Sequence, residues 1–254
     1  MSNPLAPGSL SGIRALVTGS SRGIGADTVS YLAGAGARVA INFRNKEARA
    51  LKLAAKLEGE GAEVMTIGAD LTDPDSIESL VEQIRAAYGE LDILVLNASG
   101  GMESGMPEDY AMRLNRDAQV EFLSAMMPLL HRGSRIVFVT SHQAHFIKTV
   151  ETMPEYLPVA LSKRAGEDAL RDLIPMLDDA GIEFVVVSGD MIEGTITATL
   201  LQRANPGAIE ARKEAAGRLY NVSEFAAEIA AAAVEPIPEN HTRYVGDVSD
   251  FLGA

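Results

Sequence analysis

The sequence predicts an α/β protein with one doubly wound parallel sheet and helices on both faces, and three observations lead there. A glycine-rich run, Thr18-Gly19-Ser20-Ser21-Arg22-Gly23-Ile24-Gly25, stands between an apolar stretch and an amphipathic one. Apolar runs then alternate with helix-patterned segments, the rhythm of repeated βαβ units. Those apolar runs hold consecutive Val, Ile, Leu or Ala residues, as in strands buried on both faces of a parallel sheet.

Taken in order, residues 13–17 read as the first strand and a helix starts near Ala26, with the glycine run as the turn between them. Strand 38–43, helix 46–59 and strand 63–67 follow, then helix 75–88 and strand 91–96. A helix around 110–130, strand 135–139, helix 158–180 and strand 183–187 continue the pattern. Asp73, just before Pro74, has the place of a helix N-cap. Residues 191–220 lack strand character, carry Thr195, Thr197, Thr199, Pro206, Gly207 and Gly217, and read as a substrate lid. No composition break divides the chain, so residues 1–254 are expected to form a single domain, a size usual for α/β folds.

Composition narrows the function. A net charge of −13 opposes unaided binding to nucleic acid or anionic membranes. The absence of cysteine removes thiolate nucleophiles, disulfides and cysteine metal sites. The first twelve residues show no basic-then-apolar leader, and no apolar run approaches ~18 residues; a cytoplasmic protein is expected. His142 and His145 lie close together but lack acidic partners at ligand spacing, so no metal site is expected.

The glycine run reads as a dinucleotide cradle. Glycines in a strand-to-helix turn admit a pyrophosphate close to the backbone, and the helix N-terminus aims free N–H groups at it. The end of the second strand, Asn42-Phe43-Arg44-Asn45-Lys46, offers cations and no acid before Glu47. An acid there would suit the ribose hydroxyls of NAD, whereas Arg44, with Arg22 in the cradle, suits the 2′-phosphate of NADP(H).

The spacing Gly19-x-x-x-Gly23-x-Gly25, with Asp70-Leu71, Asn97-Ala98-Ser99-Gly100, Asn115, Ser141 and Ser162-Lys163-Arg164-Ala165-Gly166 in order, resembles the short-chain dehydrogenase/reductase family over essentially the whole chain. The resemblance implies a Rossmann fold and hydride transfer between a nicotinamide and a substrate carbonyl. It implies that Gly19, Ser21, Arg22, Gly23, Ile24 and Gly25 hold the pyrophosphate end. Asp70 and Leu71 would read adenine, Asn97 in the cofactor site would tie the strand end together while the small Ala98 and Ser99 let the cofactor ribose approach, and Thr195, or Thr197, would contact the cofactor downstream. Ser141 would orient the substrate oxygen, a Tyr would donate the proton, Lys163 would lower the Tyr pKa from about 10 and bind the nicotinamide ribose, and Asn115 would complete a proton relay.

One residue departs from the pattern. The family Tyr lies four residues before the Lys, where this chain has Val159; the nearest phenol is Tyr156, seven before Lys163. That Tyr-x6-Lys spacing resembles enoyl-thioester reductases of the same superfamily. Pro158 suggests that the helix starts beside it, leaving Tyr156 on a loop able to bend inward. His142 and His145 are rival proton donors. The reading is therefore an NADPH-dependent reductase of a carbonyl in a small or medium organic substrate. An enoyl-thioester reductase and a catalytically silent NADP-binding sensor or scaffold are the alternatives. The resemblance also implies a homodimer or homotetramer built on helices 110–130 and 158–180.

Overall fold

The computed structural model describes residues 3–103 and 105–253; Met1, Ser2, Ser104 and Ala254 lie outside it. The chain runs β1 (Arg14–Val17), α1 (Gly23–Gly34), β2 (Arg38–Phe43), α2 (Glu47–Gly59), β3 (Val64–Gly68), α3 (Pro74–Tyr88) and β4 (Leu91–Leu96). α4 (Tyr110–Met112) passes through a π-helical turn, Arg113–Asp117, into α5 (Ala118–Met126). Next come β5 (Leu130–Ser141), α6 (His142–His145), α7 (Leu157–Arg171), α8 (Ile174–Ala180) and β6 (Glu183–Gly189). α9 (Ile196–Ala204), α10 (Ala208–Ala216), α11 (Val222–Ala232), β7 (Thr242–Val245) and α12 (Ser249–Leu252) complete it.

Seven parallel strands pair in the order β3-β2-β1-β4-β5-β6-β7. Successive residues of a strand point to opposite faces, so both faces become apolar. Val17, Val39, Ile41, Val95, Val137 and Val185 pack against Val29 and Leu32 of α1 and Phe225 and Ile229 of α11. Leu16, Leu94, Leu96, Ile136 and Phe184 face Leu80 and Ile84 of α3, Phe122 of α5 and Leu170 of α7. Each such fully buried side chain contributes about 1.5–3 kcal/mol. The strand order reverses between β1 and β4, which opens a crevice at their C-terminal ends where ligands bind in open α/β sheets.

The doubly wound fold expected from the sequence is therefore the one observed, with local differences. α1 starts at Gly23, three residues before Ala26, so two cradle glycines lie in its first turn. The 158–180 helix is two helices, because Pro175 lacks the N–H that would continue α7 and its ring would meet the carbonyl of Arg171. Asp73 sits at the N-cap of α3, but its carboxylate accepts from the Ser76 hydroxyl (2.6 Å) instead of a backbone N–H. Residues 191–220 hold two helices, α9 and α10, and α11 and β7 extend the alternation beyond the strands read from sequence. Among the described residues, no helix is long and apolar enough to cross a membrane.

Candidate active site

The crevice at the switch point is a cavity of about 620 Å³. Gly19, Ser21, Arg22, Gly23, Ile24, Gly25, Arg44, Asp70, Leu71, Asn97 and Thr195 all line it, so the sequence-predicted cofactor residues other than Lys163 converge there. The cradle is built to approach its neighbours closely. Gly19 has φ +62°, and a Cβ there would stand 3.0 Å from the Ala98 Cα; a Cβ on Gly25 would stand 2.6 Å from Asn97 Nδ2. Arg22, with extended backbone, caps α1, whose first turn carries no acid to compete for its N–H groups.

Polar side chains stitch the cradle to the strand ends. Asn97 donates from Nδ2 to the Thr18 carbonyl (2.9 Å), while the Thr18 hydroxyl accepts from the Asn97 and Ala98 N–H groups (2.9 and 3.0 Å). Buried Asn42 accepts the Gly19 N–H at Oδ1 (3.1 Å) and donates to the Ala69 carbonyl (3.3 Å). Sequence reasoning missed this role of Asn42; a polar residue inside an otherwise apolar strand was its signal. Asp70 accepts the Thr72 N–H at Oδ1 (2.9 Å), forming an Asx turn that holds its carboxylate at the cavity wall. Lys46, from the cationic 42–46 stretch, also lines the cavity, with Arg49 and Tyr110, which were not singled out in the sequence. The three-residue step from Lys46, at the N-cap of α2, to Arg49 in its first turn is the pattern that would have shown the two cations close together.

A second cavity, about 140 Å³, adjoins the first through Ile24, Asn97, Ser99 and Thr195. Ser141, Tyr156 and Lys163 line it together, against apolar Val139, Met191, Ile192, Leu201 and Phe225. Tyr156 stands at the N-cap of α7 with Pro158 in the first turn, and its OH is 3.1 Å from Ser141 Oγ. Ser141 ends β5 and caps α6, accepting the Ala144 N–H at 3.3 Å. Val159, where the family Tyr would stand, is buried in the apolar cluster with Tyr156, Ala160, Met191 and Leu201.

Asn115 points elsewhere. Buried in the π-turn, it donates from Nδ2 to the Gly100 carbonyl (2.8 Å) and to Ser162 Oγ (2.9 Å), and accepts the Gly100 N–H (3.2 Å). Its amide thus joins the β4 exit loop to α7 and contacts neither Tyr156 nor Lys163. Thr195 caps α9, accepting the Ala198 N–H (3.1 Å) and donating to the Ile192 carbonyl (2.9 Å), and reaches both cavities; Thr197 reaches only the second.

The two histidines lie behind the site. His142 is fully buried, with Nδ1 2.8 Å from Ser188 Oγ, and burial pushes its pKa down to about 3. His145 bridges the Glu167 carboxylate (2.8 Å) and the Tyr244 hydroxyl (3.1 Å). Burial would raise the Glu167 pKa, but hydrogen bonds from His145 and Arg171 outweigh it and hold the carboxylate below its usual range. Neither histidine lines the cavity of Ser141, which corrects their standing as rival donors. Among the described residues no cluster of His, Asp or Glu could hold a metal ion.

A nucleotide-type cradle at a sheet switch point, joined to a Ser-Tyr-Lys cavity, defines a dinucleotide-dependent oxidoreductase class. The family model described as short chain dehydrogenase matches residues 14–205, and the chain belongs to that family. It is 31% identical to versicolorin reductase of Emericella nidulans over 170 residues, 65% of this chain and 63% of that protein, just under two thirds of its length. A short chain dehydrogenase from Burkholderia cenocepacia, solved in complex with NADP, superposes with a TM-score of 0.75 at 27% identity, covering 93% of this chain and 97% of the other. The angucycline C-6 ketoreductase LanV with bound NADP gives 0.75 at 26% identity, covering 95% and 96%.

Proposed function

We propose that the protein is an NADPH-dependent reductase of a carbonyl group in a small or medium organic substrate, and that Tyr156 is its proton donor. The contact between Tyr156 OH and Ser141 Oγ at 3.1 Å, in the cavity that Lys163 also lines, carries this reading. The residues fit the cofactor: the cradle leaves no room for a Cβ at Gly19 or Gly25, and four cations against two acids line a cavity in a chain of net charge −13. The solved relatives that hold NADP support the same choice. When bound, the nicotinamide supplies the hydride.

This chain's residues supply the proton and the orientation. Ser141, its hydroxyl steadied by the Ala144 N–H, and Tyr156 present a pair of O–H groups to one substrate oxygen. As negative charge develops on that oxygen the Tyr156 proton passes to it, and the Lys163 ammonium stabilises the phenolate left behind. Val139, Met191, Leu201 and Phe225 exclude water and favour an uncharged substrate. α9 and α10 act as the substrate lid expected over residues 191–220. Asn115 acts as a positioning residue for α7, in place of a relay. Leu157 and Leu161 are 40% and 49% exposed, one turn apart on α7. That apolar stripe supports a homodimer or homotetramer built on α5 and α7.

The experiment follows reduced-nicotinamide absorbance against a panel of ketones, aldehydes and enoyl thioesters, with Tyr156→Phe and Lys163→Ala beside the parent. Loss of roughly 10²–10⁴ in kcat in Tyr156→Phe, with NADPH binding intact, is expected for a general acid. Full activity in Tyr156→Phe overturns the assignment. Turnover only of enoyl thioesters moves the reading to C=C reduction, and tight NADPH binding with no turnover across the panel moves it to a sensor.

A further inference from the structure

Arg44 leaves the end of β2 and crosses the adenosine end of the large cavity to the start of α4. There its Nη1 donates to the Tyr110 hydroxyl, and its guanidinium carbon lies 5.5 Å from the Tyr110 ring centroid. Tyr110 is well fixed: it is 5% exposed, its N–H donates to the Pro107 carbonyl (3.0 Å), and burial raises the pKa of its phenol, which therefore stays neutral. It lines the same cavity as Asp70 and Leu71. We infer that Tyr110 is a specificity-determining residue, which holds Arg44 in place for the 2′-phosphate and so sets the preference for NADPH over NADH. The inference rests on Arg44 as the 2′-phosphate residue.

An unsupported Arg side chain loses much of its rotamer freedom when it binds a ligand, and a pre-held one loses little. A guanidinium has five N–H donors in a rigid fork. Spending one on Tyr110 leaves the others for phosphate oxygens, while the ring fixes the guanidinium plane. The 2′-phosphate is the group by which the two cofactors differ, so an effect routed through Arg44 appears with NADPH alone. A Tyr110 that only packed against the adenosine would affect both cofactors alike.

The test measures dissociation constants of NADPH and NADH by fluorescence titration for the full-length parent, Tyr110→Phe, Arg44→Ala and the double variant. Phenylalanine keeps the ring and the buried volume, so the fold is preserved and only the hydroxyl is lost. Expected is a roughly three- to tenfold weaker NADPH affinity in Tyr110→Phe with NADH unchanged, the net scale of one ordinary hydrogen bond. In the Arg44→Ala background the second substitution should add nothing. Equal loss for both cofactors, or no loss for either, overturns the role of Tyr110. An unchanged NADPH-to-NADH ratio in Arg44→Ala overturns the Arg44 reading itself, whatever Tyr110→Phe does.

Discussion

Replacing Gly166 by alanine should push α7 off the π-turn and weaken fold and site together. The π-turn aims the Asn115 carbonyl at α7, and a Cβ built on Gly166 falls well inside contact range of that oxygen and 3.0 Å from its carbonyl carbon. Both partners are helix backbone, so no flexible side chain can move aside. The carbon would have to recede by roughly 0.5–1 Å to reach ordinary contact, and the oxygen by more. Overpacking of this kind costs about 1–3 kcal/mol, and a rigid backbone pair belongs at the upper end. At 2–4 °C per kcal/mol for a chain of this size, the expected fall in Tm is roughly 6–12 °C. Lys163 sits three residues before Gly166 on the same helix and shares its cavity with Ser141, so turnover should fall along with stability. Thermal unfolding and steady-state kinetics well below Tm measure the two effects. Gly59→Ala is the control: it lies in the last turn of α2 with nothing within 4 Å of its Cβ, and should be neutral or stabilising by up to about 1 kcal/mol. A Tm for Gly166→Ala equal to that of the control would refute the packing argument. A lowered Tm with unchanged kcat would refute its link to Lys163.

Two further perturbations probe groups around the site. Because the buried His142 has a pKa of about 3, against 6.5 when unfolded, the unfolded chain binds more protons between those values and stability falls as pH drops from 6.5. The slope from this group approaches about 1.4 kcal/mol per pH unit, so His142→Asn should flatten the stability profile between pH 6 and 4; parallel profiles would contradict this. Arg212, on α10, pairs with the Asp190 carboxylate (2.9 Å), the Asp247 carbonyl (3.1 Å) and Asp250, tying α10 to the C-terminal segment. Asp190 is buried, so Arg212→Ala strands its charge at a cost of about 3–5 kcal/mol, met by loosening of α10. Faster limited proteolysis within residues 205–218 and a raised KM are expected, and unchanged cleavage would show that the Arg212 pairs do not hold α10.

The fold was legible because burial on both faces of a parallel sheet leaves its mark in consecutive apolar residues, as in Val185-Val186-Val187, whichever helix covers them. β7 was not legible: Thr242-Arg243-Tyr244-Val245 is a short edge strand with two partly exposed members, and its pairing with β6 supplies what its residues do not. The crevice at the switch point was legible for a similar reason, since a turn packed this closely on Ala98 and Asn97 leaves no room for a Cβ at Gly19 or Gly25. Interactions across the chain were hidden, because nothing in residues 42–46 announces that Arg44 meets a phenol 66 positions away.

Tyr156 lies between these cases. Its spacing from Lys163 raised the question, but spacing along α7 could not answer it, because Tyr156 stands at the N-cap, outside the regular helix. Its aim follows from three local constraints. Pro158 lacks an N–H to bond and so favours the first turn of a helix, which leaves Tyr156 at the threshold. Met153 and Pro154 then turn the approaching chain through bonds from the Tyr156 and Leu157 N–H groups to the Met153 carbonyl (2.9 and 3.1 Å). Val159, filling the space where the family phenol would lie, completes the apolar wall against which the Tyr156 ring packs. The hydroxyl thereby comes to lie 3.1 Å from Ser141 Oγ, so a phenol delivered from the loop reaches the serine that ends β5.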